Sequence, residues 1–312
     1  MNLRRLAAAT AGGVGLTAAL NRSLARSAEP LDPPLEGFQG TYRWRGFDVA
    51  YTEAGDPDNP DVLFLHGIHA AASNKEFDQI FRQLAQQYHV IAPDLPGFGR
   101  SSRPPVVYTA SLYTSFVVDF AEDVTDNAIC LVSSLSGAYA TLAQVETGAF
   151  SQLELICPTD DAGKRRKWLR NLVRSPLLGT ALFNAIASKR SIRRFNERDG
   201  YFSEASYTEK DVEFEWQTAH QPGARFAPAS FVSGYLNPDE DLGEELARVD
   251  VPVTLVWGRE AKVTPLEGGK ELADEADTRL VVFDEARLLP HVEHPGPFLD
   301  VLFDELAPLE QQ

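Results

Sequence analysis

The chain has 312 residues, 44% of them apolar and 10% aromatic, enough to bury one large core or two modest ones, so bulk disorder is excluded. Forty-five Asp and Glu against 29 Lys and Arg leave a formal charge of −16, which excludes an extended nucleic-acid footprint, because that needs cationic surface to displace counterions. Only seven of the cations are Lys and twenty-two are Arg; an acidic, lysine-poor surface is what high salt favours, since screening relieves self-repulsion.

Residues 1–30 differ from the rest. Arg4 and Arg5 precede a mildly apolar, Ala- and Gly-rich run from Leu6 to Leu20, and the small-residue stretch Ala25-Arg26-Ser27-Ala28 follows. The pattern is like an export signal, with an arginine pair of the twin-arginine kind. The run falls short of the roughly 20 apolar residues that span a bilayer. A surface-lying or disordered segment is the alternative, so location is open between export or membrane association and the cytoplasm.

After Glu29 the chain alternates between strand and helix patterns. Tyr42 to Val49 and Ala50 to Glu53 read as a hairpin with Gly46 near its turn, and Val62 to Leu65 as a short apolar strand ending at His66-Gly67. Phe77 to Tyr88 carries helical spacing, Val90 to Ala92 is a buried strand, and Ser111 to Asp123 is a helix. Ile129 to Ser133, Leu135 to Glu146 and Leu153 to Cys157 then read as strand, helix and strand. Strands alternating with amphipathic helices predict parallel crossovers with both sheet faces covered, a doubly wound, mostly parallel α/β sheet.

Cys130 and Cys157 both fall inside apolar strand-like runs, outside any CxxC or Cys/His spacing, and read as small core residues. No metal site is indicated. No Gly-rich phosphate loop of either common form is present, so no cofactor is expected.

Cys130-Leu131-Val132-Ser133-Ser134-Leu135-Ser136-Gly137-Ala138 reads as an apolar strand turning sharply at Ser134 into a helix, the way a nucleophilic serine is presented. Such a turn needs small residues two before and two after the serine, because the two backbones close on each other. Ser136 meets the later requirement, and Val132 stands at the earlier one. Ser136 is itself the second nucleophile candidate, at a position inside the following helix.

Five landmarks occur in order along the chain: His66-Gly67, the run Asp94-Leu95-Pro96-Gly97-Phe98-Gly99-Arg100-Ser101, the Ser134 turn, Val251 to Gly258, and Leu289-Pro290-His291-Val292-Glu293-His294-Pro295. On these motifs the chain resembles the α/β-hydrolase superfamily, over residues from about 40 to 158 and 250 to 308. The resemblance implies an α/β-hydrolase core formed by residues 31–158 and 251–312, with a helical cap inserted as 159–250. It implies an oxyanion hole made by the backbone N–H groups of Ile68 and Leu135, with His66, Gly67 and His69 at the pocket. A serine at the turn also sets the chain apart from the branches that use an aspartate there.

The same resemblance leaves the activating partners open. Relatives carry the base in a Gly-His pair at the place where this chain has Leu288, so His291, three residues on, is the leading candidate, ahead of His220 and His69; His294 reads as structural. For the acid, the candidates are Glu260 after Trp257-Gly258, and Asp160 and Asp161 at the end of the preceding strand. Losing the nucleophile or the base of such a triad costs about 10⁶ in turnover, so a chain with no base is nearly inert.

The start of the insertion, Lys164 to Arg194, holds ten Lys and Arg and no acid. With Trp168, Leu169, Leu172 and Val173 interleaved, it reads either as an anion- or membrane-facing helix or as a solvated face balanced by nearby acids. The functional expectation is a serine hydrolase acting on a small-molecule ester or other acyl compound through Ser134, with a rearranged triad. The alternative is a catalytically silent member that keeps the fold to bind a ligand or partner.

Overall fold

A computed structural model describes residues 3–306, with side chains from 13 to 304. Met1, Asn2 and the side chains of Arg4 and Arg5 therefore lie outside the described residues. The N-terminal segment forms helix α1 (Leu3–Ser27). Its inner edge is fixed by Asn21, which donates to the Leu177 carbonyl at 3.1 Å and accepts from Asn184 at 3.2 Å. No helix among the described residues is long and apolar enough to cross a membrane.

Eight strands form one sheet: β1 (Phe38–Trp44), β2 (Phe47–Ala54), β3 (Asp61–Leu65), β4 (His89–Pro93), β5 (Ile129–Ser133), β6 (Gln152–Ile156), β7 (Val253–Gly258) and β8 (Arg279–Phe283). Their order is β1-β2-β4-β3-β5-β6-β7-β8, antiparallel through β1, β2 and β4 and parallel from there on. The hairpin turns at Arg45 and Gly46, both at positive φ, which glycine adopts at no steric cost.

The central strands are apolar throughout because both faces are covered. Successive side chains point to opposite faces, so Leu63, Leu65, Cys130, Val132, Leu153 and Leu155 share one core, while Val62, Phe64, Ile129, Leu131 and Ile156 share the other. Each such side chain contributes about 1.5–3 kcal/mol by leaving water. Helices α2 (Phe81–Leu84), α3 (Ala110–Val124) and α4 (Ser136–Thr147) make the crossovers between β3 and β6. Thr109 caps α3 by accepting from the Leu112 amide, and Gly148 ends α4 in the left-handed region.

The helix expected over Phe77 to Tyr88 is broken into a 3-10 turn, Asn74–Phe77, and the single turn of α2. Phe77, Ile80, Phe81 and Leu84 are all buried, which explains the helical spacing, but the hydrogen-bonding pattern is interrupted between the two turns. Cys130 and Cys157 are both buried, as read, and both are free thiols. Cys130 pairs with Leu153 in the sheet, and four residues of strand, about 13 Å, separate Leu153 from Cys157.

Between β6 and β7 lie α5 (Lys167–Arg174), α6 (Leu178–Ile186), α7 (Lys189–Phe195), α8 (Glu209–Ala219), α9 (Phe226–Phe231) and α10 (Leu242–Leu246), with a π turn at Asn196–Gly200 after α7. Several basic residues of this stretch are answered by acids: Arg165 pairs with Asp239, Lys189 with Glu213 and Arg193 with Glu209. Arg170 lies over the Tyr235 ring at 3.8 Å, and Arg174 donates to the carbonyls of Pro105 and Val106. Trp168, Leu178 and Ile186 stay exposed. After β7 come α11 (Leu266–Glu275), α12 (Pro290–Glu293) and α13 (Pro295–Leu306), the last packing Phe298 and Leu302 against the second face of the sheet.

Candidate active site

Ser134 sits between the end of β5 and the start of α4 with φ 55°, a left-handed conformation that a serine adopts only where its surroundings impose it. Its amide donates to the Ile156 carbonyl at 2.9 Å, which ties the turn to β6. Ser136, the other nucleophile candidate, is fully buried inside α4 and donates its hydroxyl to the His66 carbonyl at 2.7 Å. Ser134 lines an open cavity and Ser136 does not. The turn forms with Val132 two residues before the serine, because Val132 points into the sheet core between Leu65 and Leu155.

The backbone of the His66-Gly67 loop closes on this turn from β3. A Cβ on Gly67 would stand 2.9 Å from Ser133 Oγ, 3.2 Å from Ser134 Cβ and 3.5 Å from Glu76 Oε2, so only glycine fits there. Just beyond it Ile68 borders the cavity. Neither the Ile68 nor the Leu135 amide donates a hydrogen bond within the described residues. Two unpaired amides flanking a serine are what an oxyanion hole requires.

Glu76 joins these elements. One carboxylate oxygen, Oε2, accepts from the Gly67 amide at 2.9 Å, and the other, Oε1, accepts from the Ser133 hydroxyl. Burial pushes the Glu76 pKa up to about 7, against the lowering effect of those two hydrogen bonds. The turn bearing Glu76 is held by the Asp94 motif: Asp94 Oδ1 accepts from the Asn74 amide at 2.8 Å, and Oδ2 takes the Arg100 amide at 3.0 Å and Nε at 3.1 Å. Asn74 in turn donates its side-chain amide to the Ala92 carbonyl at 2.9 Å.

The cavity holds about 330 Å³. Its floor is Gly67, Ile68, Glu76, Ser133 and Ser134, and Leu288, Leu289 and Val292 close one side. The segment between β6 and β7 lines it too, through Phe195, Tyr201, Phe214, Glu215 and Phe231. Lys75 is neutralised at its rim by Asp78 and Asp211, each at 2.7 Å. Glu215 is partly buried, and desolvation raises its pKa to about 7 even though it accepts from Asn196 at 3.2 Å. None of the ten cations between Lys164 and Arg194 borders the cavity.

The remaining candidates fall at various distances from this centre. His291 is fully buried and absent from the cavity wall; its Nε2 lies 3.6 Å from Glu76 Oε1, and neither ring nitrogen has a hydrogen-bond partner among the described residues. Burial drives its pKa down to about 3, so it is neutral at working pH. Glu260 braces the end of β7, its Oε2 accepting from the Ala286 amide at 3.1 Å. Asp160 accepts from the Leu242 amide at 3.0 Å and so ties the start of α10 to the loop after β6. Asp161 accepts from Gly163 and Asn237. None of these three carboxylates borders the cavity.

His66 accepts from the Leu95 amide at Nε2, 3.0 Å away, which puts its proton on Nδ1, 2.7 Å from the Gly67 carbonyl. It is buried under the loop and braces the floor without reaching the cavity. His69 does line the cavity, with a pKa lowered to about 4 by burial first and His66 second. His220 stacks on Trp216 at 4.3 Å and His294 on Phe283 at 6.3 Å; both lie away from Ser134. Among the described residues no group of His, Cys, Asp and Glu could hold a metal ion.

Glu76 and Ser133 were not among the residues singled out from the sequence. Glu76 sits in the polar stretch Ser73-Asn74-Lys75-Glu76, one of forty-five acids, and the one local signal was its place directly before the buried Phe77.

Comparison with known proteins agrees with this architecture. The model of the alpha/beta hydrolase family matches residues 62–301. An uncharacterized hydrolase of Saccharomyces cerevisiae is 48% identical over a stretch that covers 19% of this chain and 20% of that one, so the match spans one fifth of the yeast protein. The pimeloyl-acyl-carrier-protein methyl ester esterase of Aeromonas salmonicida is 26% identical, covering 78% of this chain and 94% of its own. The 2-hydroxy-6-oxo-6-phenylhexa-2,4-dienoate hydrolase of a Rhodococcus species superposes with a TM-score of 0.70 at 22% identity, covering 88% of this chain and 99% of that one. With the family model matching most of its length and the sheet, serine turn and loop order described above, this chain belongs to the alpha/beta hydrolase family.

Proposed function

We propose that the protein is a serine hydrolase of small ester or other acyl compounds, with Ser134 as its nucleophile. The observation that carries this reading is the left-handed Ser134 turn at the floor of a 330 Å³ cavity, between the unpaired amides of Ile68 and Leu135. In this reading Ser134 Oγ attacks the acyl carbon, the two amides take the charge that develops on the carbonyl oxygen, and water later releases the acid from the serine. The hydrolase and methyl ester esterase among the relatives support the reaction class.

Residues 159–250 act as the cap that bounds the substrate. Phe195, Phe214 and Phe231 make its lining largely apolar, and Lys75, the one cation at the rim among the described residues, is already paired twice. The substrate fitting this enclosure is an uncharged acyl compound of modest size, not an anion attracted by the basic stretch before it.

The test is labelling by a fluorophosphonate serine probe, with hydrolysis of 4-nitrophenyl acetate, butyrate and palmitate alongside. The expected result is labelling of the unmodified protein and of Ser136→Ala but not of Ser134→Ala, and a preference for the two shorter esters. A well-folded protein that neither labels nor hydrolyses any of them is the outcome expected of the silent, ligand-binding alternative.

A further inference from the structure

The place where relatives keep their base is occupied by Leu288, and the nearest histidine on that loop, His291, is fully buried and does not border the cavity. From the convergence of Glu76, Gly67, Ser133 and Ser134 we infer that Glu76 is the general base of this enzyme, taking the proton from Ser134 in the role that histidine has in a conventional triad. The inference rests on the reading of Ser134 as nucleophile.

Three geometric observations carry it. Glu76 borders the same cavity as Ser134, and a Cβ built on Gly67 would stand 3.2 Å from Ser134 Cβ and 3.5 Å from Glu76 Oε2, which places the two residues on either side of that glycine. The carboxylate is held in one orientation, with Oε2 on the Gly67 amide and Oε1 on the Ser133 hydroxyl. Its turn is fastened to the sheet through Asp94 and Asn74, as a positioned base demands.

The surroundings allow this carboxyl to exchange a proton near neutrality. His291 faces it from α12 as a neutral ring 3.6 Å away, and Tyr201 faces it from the wall after the π turn. His69 shares the floor and is neutral. The charges on its flank, Lys75, Asp78 and Asp211, are occupied with one another, and Glu215 on α8 is itself pushed up to about 7 by burial. Among the described residues no cation is therefore committed to Glu76, and burial keeps its pKa at about 7, where a base is most useful. The steps balance without a further reactant. Ser134 Oγ bonds to the acyl carbon as its proton passes to Glu76; collapse breaks the bond to the leaving group, which takes that proton. Water then attacks the acyl-serine, giving its proton to Glu76, and Glu76 returns it to Ser134 as the acid departs.

The experiment is the rate of fluorophosphonate labelling from pH 5 to 9 in the unmodified protein, Glu76→Gln, Ser133→Ala and Ser134→Ala. The unmodified protein is expected to label faster as pH rises, about tenfold per unit below 7, and to level off above it. Glu76→Gln is expected to slow labelling by about 10²–10⁴-fold and to abolish the rise. Ser133→Ala removes a hydrogen bond that favours the carboxylate, so it keeps labelling but moves the midpoint to higher pH. If Glu76→Gln labels at the original rate with the original profile while Ser134→Ala does not label, Glu76 is not the base and the nucleophile stands. If Glu76→Gln does not fold, an unchanged midpoint in Ser133→Ala overturns the inference and a raised one supports it. No labelling of the unmodified protein at any pH overturns both readings.

Discussion

His291 Nε2 stands 3.6 Å from Glu76 Oε1, inside a pocket formed by the rings of Phe77 and Phe298, and both of its ring nitrogens are without hydrogen bonds among the described residues. A histidine so placed is a neutral filler behind the carboxylate. Replacing it by leucine is therefore expected to leave Ser134 labelling within a fewfold of the original, in contrast to Glu76→Gln.

The same histidine should make the fold acid-sensitive. Its folded pKa, about 3, lies below the ordinary 6.5, so between these values the unfolded chain binds more protons and stability falls as pH is lowered. The loss approaches about 1.4 kcal/mol per pH unit in the middle of that window. Denaturant unfolding from pH 7 to pH 4 should show a shallower decline for His291→Leu than for the unmodified protein.

Glu154 works in the opposite direction. It is buried on β6, accepts from Gln152 at 2.6 Å, and has its pKa raised to about 7 by burial, so the folded state holds a proton that the unfolded chain releases above 4.5. Its contribution is intact below pH 4.5 and is lost as pH rises through 7. Glu154→Gln is expected to raise unfolding free energy at pH 8 by about 2 kcal/mol and to change it little at pH 5, measured by denaturant titration at both values.

Gly67→Ala would bring a Cβ to 2.9 Å from Ser133 Oγ and 3.2 Å from Ser134 Cβ. The floor must shift by a few tenths of an ångström, which is enough to misalign a nucleophile and its base. Labelling should fall at least tenfold while circular dichroism at 20 °C still reports a folded chain.

Ser136→Ala removes one buried hydrogen bond, to the His66 carbonyl at 2.7 Å. A cost of about 1 kcal/mol in stability is expected, with labelling unchanged. Loss of labelling in this variant with Ser134→Ala unaffected would reverse the assignment of the two serines.

The strand-and-helix alternation was legible in the sequence because a sheet buried on both faces needs continuous apolar strands, and Ile129 to Ser133 appears in the structure with the bounds read from its residues. The serine turn was legible too, since a strand running directly into a helix leaves few ways to place Ser134. The helix over Phe77 to Tyr88 was only half legible: apolar spacing reports which side chains face the core, not whether the backbone between Phe77 and Phe81 stays helical.

The identity of the groups around Ser134 was decided by the tertiary structure alone. Glu76 is separated from Ser133 by fifty-seven residues and from His291 by more than two hundred, and nothing local distinguishes it from the other acids of the chain. What singles it out is burial, which makes a carboxylate costly unless it is hydrogen-bonded or protonated, and burial is a property of the assembled core. The sequence by itself determined the sheet, the order of its landmarks and the serine at its turn, because these follow from local pattern. Packing of β3, β5, the Asn74–Phe77 turn and α12 decided that a glutamate reaches the cavity and a histidine lies behind it, because proximity across a core is not encoded in the spacing of residues along a chain.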